Sequence, residues 1–360
     1  MAQLAVDYQH ARDAFLAAAT AARGTVTTHA HPERGPDDGP LATDVAVFGR
    51  PDAPHRLLVV SGTHGVEGFA GSLCQTAWLE DGIAPPADLA VVMVHAINPY
   101  GFAWIRRVNE DNVDLNRNCI PFDGALPANP GYDELAEALV PPLWDEATQE
   151  VTAAQLLEFA GEHGFDGLQA AVSGGQYRHP RGIFYGGARP VWSRTTLERI
   201  VADHLGDAAH VAIIDLHTGL GPFGHGELIA SHPDATGRAR LDAYFDDYTI
   251  PSDGNSVSAD ISGDVLDGMD EWLDGVAVAG VAIEWGTVDI IEVSNALRAD
   301  AWLHGFGDPR GPAAPAIKAQ LRAAFAPDDP SWADAVVERF VAVRDRAIEG
   351  LSAGGPLAAQ

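Results

Sequence analysis

The chain has 360 residues, 46% of them hydrophobic, which is enough for a large core in one α/β domain without disulfide or metal staples. Asp plus Glu number 51 against 22 Lys plus Arg, a formal net charge of -29. Such a surface repels phosphate backbones and anionic lipid, which argues against nucleic acid or membrane partners.

The N-terminal stretch MAQLAVDYQHARDAF lacks the basic start and apolar run of a secretion signal. No segment approaches the roughly 20 apolar residues of a membrane span. The two cysteines, Cys74 and Cys119, are too few for a disulfide framework, and a reducing, cytoplasmic setting is expected. Residues 5–22 read as an amphipathic helix with Tyr8, Ala11, Phe15 and Ala18 on one face. Residues 31–41 read as a turn-rich surface loop. Residues 43–48 alternate like a half-exposed strand. Four continuous apolar runs then read as buried strands: 56–61, 90–95, 211–216 and 276–283. Helices are expected at 68–79, 133–160, 194–205 and 235–247, with a last one at 332–350 after Asp328, Asp329 and Pro330. Residues 246–274 are rich in aspartate without the spacing of an EF-hand, and read as a solvated loop and helix. The alternation predicts an α/β sandwich on a mostly parallel sheet. One catalytic domain over 1–360 is expected, its core at about 40–305. Residues 121–192, irregular and rich in Gly, Pro and aromatics, form an inserted lobe or lid.

In open α/β sheets, sites form beyond the carboxyl ends of the strands. Polar or ionisable residues follow all four buried runs: His64 and Glu67, Asn98, His217, and Glu284. His64-x-x-Glu67 leaves a strand and enters a helix, so the two side chains can face one point. Imidazole and carboxylate are good zinc ligands, and a catalytic zinc takes three protein ligands. His217, at the end of another strand, is a candidate third. His-x-x-Glu by itself is a weak signal among 14 histidines, and Glu67 could merely favour a helix N-terminus. The stretch Arg106 to Asn118 packs three arginines among amides in an acidic chain. Arg117 with Asn116 can hold a carboxylate through paired hydrogen bonds, and the competing reading is a structural Asp114–arginine ion pair.

The order His-x-x-Glu, Asn-Pro-x-Gly (98–101), arginine followed by Asp-Leu-Asn-Arg-Asn (114–118), a histidine after a strand, then a glutamate at a later strand end resembles the zinc carboxypeptidases. It is also similar to the succinylglutamate desuccinylases and aspartoacylases. Residues 62–68 (GTHGVEG), 183–187 (IFYGG), 218–221 (TGLG) and 296–300 (ALRAD) resemble a bacterial branch catalogued as a domain of unknown function. The resemblance spans residues 40–305. It implies a three-layer, zinc-carboxypeptidase-like sandwich with a mixed, mostly parallel sheet. It also implies Zn2+ held by His64, Glu67 and His217. Arg107 matches the arginine that stabilises an oxyanion, with its neighbour Arg106 as the competing choice. Asn116 and Arg117 match the pair that binds a substrate carboxylate. Glu284 matches the catalytic glutamate, with Glu227 a weaker candidate. The tyrosine that digestive carboxypeptidases carry has no clear counterpart, and Tyr185 stands as a candidate.

The function expected on this basis is hydrolysis of an amide bond next to a free carboxylate, in a small peptide or an N-acyl amino acid. The rivals are an aspartoacylase-like deacylase and a non-catalytic zinc-binding protein. A serine or cysteine hydrolase is disfavoured because neither Ser61 nor Cys119 lies in a G-x-S-x-G-like elbow.

Overall fold

The computed structural model describes residues 2–231 and 233–353. Its strands are β1 (Thr25–Arg34), β2 (Pro40–Gly49), β3 (His55–Ser61), β4 (Leu89–His95), β5 (His210–Phe223), β6 (Gly226–Ile229), β7 (Tyr248–Thr249) and β8 (Ala277–Gly286). They form one sheet in the order β1-β2-β4-β3-β5-β8-β6-β7. The four central strands, β4, β3, β5 and β8, run parallel. Antiparallel contacts join β1 to β2, β2 to β4 and β6 to β8. The sheet is therefore mixed, with a parallel centre, as the sequence led one to expect.

The apolar runs are continuous because helices cover both faces. Leu57 and Val59 of β3, Val91 and Met93 of β4, and Ala212 and Ile214 of β5 face one core. There they meet Tyr8 and Phe15 of helix Tyr8–Ala21, Cys74 and Trp78 of helix Gly68–Asp81, and Trp332 and Phe340 of helix Pro330–Ser352. The alternate residues Leu58, Val60, Val92, Val94, Val211 and Ile213 face a second core with helices Trp192–Leu205 and Val265–Trp272. Burying each such side chain contributes about 1.5–3 kcal/mol, so two packed faces hold these strands in a single register. Both cysteines are buried thiols, and burial raises the pKa of each.

A third cluster lies at one end of the sandwich. Tyr132 and Leu135 of helix Pro130–Leu139 and Phe159 of helix Glu146–Ser173 pack there with Val293 and Leu297 of helix Ile290–Gly305. Arg298 ties these elements together by donating to the carbonyls of Leu139 and Ala138, each at 2.9 Å. The expected single helix over 133–160 is thus two helices. Strand β1 occupies part of what reads as the 31–41 loop, and helices Ile290–Gly305 and Ala314–Phe325 are additional. Among the described residues no helix is long and apolar enough to cross a membrane.

Candidate metal centre

Strands β3, β5 and β8 end side by side, and their carboxyl ends deliver the ionisable side chains to one place. His217 of β5 and Glu284 of β8 are direct register partners. After β3 the chain turns through His64 into a 3-10 turn, Gly65–Glu67. That turn is docked on the arginine segment: Gly65 N donates to Arg107 O at 3.0 Å and Val66 N to Arg106 O at 2.8 Å. Only glycine fits at 65, because a Cβ there would lie 2.0 Å from the backbone carbon of Gly101. The close approach brings Glu67 beside Arg107, whose Nη1 donates to Glu67 Oε1 at 3.1 Å.

His64, Glu67 and His217 are all buried and each offers an atom within 4.8 Å of the others. Glu67 Oε1 lies 3.0 Å from His64 Nδ1, Glu67 Oε2 lies 2.9 Å from His217 Nδ1, and the two Nδ1 atoms are 3.2 Å apart. The outer nitrogens are held by carboxylates. His64 Nε2 is 3.0 Å from Asp114 Oδ1, and His217 Nε2 is 2.7 Å from Asp215 Oδ2. Thr63 Oγ1 in turn donates to Asp215 Oδ1 at 2.8 Å. With Nε2 turned to a carboxylate, Nδ1 is the nitrogen that faces inward, and an ion bound there would take the place of any proton it carries. The donor set of two imidazoles and one carboxylate therefore fits zinc.

Sequence reading did not assign Asp215 or Asp114 this role. The signal for Asp215 lay in its offset of two residues from His217 on one strand, which puts both on the same face. Asp114 was legible only as a possible arginine partner, and it is that too: Arg107 Nε donates to its Oδ2 at 3.0 Å.

Opposite charges face one another at this centre. Burial alone would raise the Glu67 pKa, but His64 and His217 overcome it and hold it down at about 2. Burial likewise opposes charge on His217, yet Asp215 and Glu67 hold its pKa well above the ordinary value. Asp114 is held well below the usual range by Arg107 and His64 against its own burial. Glu284 goes the other way. Burial and the negative charge of Glu67 push it up to about 7. Its Oε1 accepts from Leu220 N at 2.8 Å, so one oxygen is fixed by the backbone.

The adjacent arginines separate. Arg106 turns inward, donating from Nε to Asp300 Oδ2 at 2.9 Å and from Nη2 to Asn112 Oδ1 at 2.7 Å. Arg107 is the one that faces Glu67 and Asp114. Arg117 is buried behind it, with Nη1 donating to Asn116 O at 3.0 Å and Nε left without a hydrogen-bond partner. Asn116 is buried beside Arg117, and its Oδ1 accepts from Val265 N at 3.3 Å.

Three candidates make contacts within the fold. Tyr185 packs its ring with Val113 and Val191, and its backbone carbonyl accepts from Asp114 N at 2.8 Å. The preceding residue, Phe184, turns its own ring toward Arg107 and Arg117 instead. Tyr177, which the sequence did not single out, donates its hydroxyl to Arg117 O at 2.6 Å. Glu227 pairs with Glu284 across the strands, but its Oε1 is occupied by Thr249, Ser256 and Val257. Asn98 caps the short helix Pro99–Ala103 by accepting from Gly101 N at 2.8 Å.

A sequence profile described as a protein of unknown function, DUF2817, matches residues 4–339. The chain belongs to that family. This agrees with the resemblance drawn from residues 62–68, 183–187, 218–221 and 296–300. No curated protein matches the DUF2817 chain by sequence. Several solved structures are similar in outline. Carboxypeptidase A from Helicoverpa armigera is 11% identical, with 89% of this chain and 74% of that one covered and a TM-score of 0.42. Murein-tripeptide amidase from Escherichia coli O157 is 14% identical over 79% and 91%, with a TM-score of 0.36. A succinylglutamate desuccinylase/aspartoacylase from Rhodobacter sphaeroides is 15% identical over 79% and 66%, with a TM-score of 0.37.

Proposed function

We propose that the protein is a zinc-dependent hydrolase that cleaves an amide bond next to a free carboxylate. The observation that carries this reading is the convergence of His64 Nδ1, His217 Nδ1 and Glu67 on one point, each histidine backed by a carboxylate, with Glu284 and Arg107 beside it. His64, Glu67 and His217 would hold the ion. Zinc bound there supplies Lewis acidity toward water and the scissile carbonyl.

The remaining steps belong to the chain. Glu284 takes a proton from the attacking water on Oε2, the oxygen not held by Leu220, and passes it to the leaving amine. One carboxyl group can serve as base and then as acid in this way. Arg107, anchored on Asp114 and Glu67, stabilises the charge that builds on the carbonyl oxygen. Arg117 and Asn116 bind the carboxylate of the leaving residue, which aligns the amide. The substrate is a small peptide or an N-acyl amino acid.

The test is a panel of short peptides and N-acyl amino acids incubated with zinc-loaded protein and read by mass spectrometry, with His64→Ala as control. Glu284→Gln should retain zinc and lose about 10²–10⁴-fold in kcat. Near-normal turnover in that variant would remove Glu284 from the mechanism.

A further inference from the structure

Residues 183–186 are stapled into an unusual shape. Phe184 O accepts from Gln176 N at 3.1 Å, Gly186 N donates to Gln176 O at 2.8 Å, and Tyr185 O accepts from Asp114 N at 2.8 Å. Within this staple Phe184 has a φ of 53°. Bulky side chains are scarce in the left-handed region, where glycine or asparagine would satisfy the backbone with less strain. An aromatic residue held there points to a role for the ring itself.

The ring serves two cations. The guanidinium carbon of Arg107 lies 5.3 Å from its centroid, and that of Arg117 lies 5.5 Å away. The two like charges repel each other, and burial already disfavours the charge on Arg117. The negative face of an aromatic ring offsets such repulsion. Arg117 is fixed on its other sides as well. Its Nη groups donate to Asn116 O and Ser173 O, and a Cβ at Gly175 would lie 2.6 Å from its Cδ. Its Nε nevertheless remains buried without an acceptor, and in native proteins such a group calls for a partner.

We propose that Phe184 is a positioning residue for substrate recognition. Its ring holds Arg107 and Arg117 as a fixed pair, so the site takes amides whose leaving residue carries a free carboxylate and rejects those in which it is capped. This rests on the hydrolase reading, so the test has one arm that needs turnover and one that does not.

In the first arm, kcat/KM is measured for an N-acyl amino acid and for its C-terminal amide. Phe184→Leu should lower the preference for the free acid over the amide about tenfold, through the KM of the free acid and with the zinc content unchanged. Any loosening of Arg107 lowers kcat for both substrates alike and cancels in that ratio. Phe184→Tyr, which keeps the ring, should keep the discrimination. A merely structural role would lower both substrates in equal proportion and leave the ratio unchanged, and that result, or a tyrosine variant that behaves like leucine, overturns the proposal. In the second arm, calorimetry follows the same two compounds binding to Glu284→Gln protein with and without Phe184→Leu. A free acid that binds about tenfold more weakly to the double variant, with the amide unaffected, supports Phe184 even if no substrate turns over. Equal binding to both proteins overturns it.

Discussion

A carboxylate behind each histidine fixes which ring nitrogen faces Glu67. Asp215 is itself held by Thr63, so the orientation of His217 is set three residues deep. Asp215→Asn keeps the shape but presents an amide where the carboxylate stood. The zinc dissociation constant should rise about 10–100-fold, measured by competition with a chromogenic chelator. An unchanged affinity would strip Asp215 of this role. The two neighbouring arginines offer a second test. Arg106 is buried against Asp300, so Arg106→Ala should cost about 3 kcal/mol of stability in denaturant unfolding. Arg107→Ala leaves the buried carboxylates of Glu67 and Asp114 without that partner, so it should cost comparable stability and in addition reduce kcat about 10²–10³-fold. An equal loss of kcat in the two folded variants would contradict the division of labour. Sequence alone could not separate them. The difference lies in which buried carboxylates each one meets, Asp300 for Arg106 and Glu67 with Asp114 for Arg107, and these are distant in sequence.

The central strands could be read directly, because burial on both faces leaves apolar runs with no polar interruption. The carboxyl-end positions of His64, Glu67, His217 and Glu284 followed from those runs. Strand β1 escaped because it is an edge strand, largely exposed and broken by Pro32, so neither alternation nor a continuous run marks it. Helix Ile290–Gly305 escaped for the opposite reason: it buries Arg298 and Asp300, which as sequence look like surface residues. What makes that burial tolerable is a cluster shared with helix Ala314–Phe325. Lys318, the only lysine of the chain, donates to Asp300 Oδ1 at 2.5 Å and to Ile105 O at 3.2 Å, and its Nζ lies 2.9 Å from His304 Nε2. An ammonium facing that nitrogen requires a neutral imidazole. Burial and Arg106 accordingly push the His304 pKa down to about 3. Below the ordinary histidine pKa of 6.5 the unfolded chain takes up a proton that the folded chain refuses until about 3, so stability falls through that window as pH falls. Asp300, held at about 2 by Lys318 and Arg106 against its own burial, adds a loss in the same direction below its ordinary 3.8. Lys318, pushed down to about 8 by burial, stays charged throughout. His304→Gln keeps an acceptor without the titration. Its urea midpoint should fall less between pH 7 and pH 4 than that of the parent, and parallel curves would contradict the assignment.

At the scale of the whole molecule, a net charge of -29 opposes compaction. Screening contracts from about 30 Å at 0.01 M salt to 3 Å at 1 M, so added salt relieves this repulsion. The melting temperature should rise with sodium chloride over that range, and a flat or falling trend in calorimetry would show that local ion pairs outweigh the net charge. The candidate centre is assembled from residues far apart in the chain: His64 and His217 are 153 positions apart, and Glu284 sits on yet another strand. No short fragment can form it, because contacts of such separation become favourable only after the intervening chain has closed. A one-residue slip of β5 or β8 would also turn its residue to the opposite face. During refolding the ion should therefore be captured late, after β3, β5 and β8 have aligned. The rate of zinc uptake then becomes a clock for the completion of the sheet.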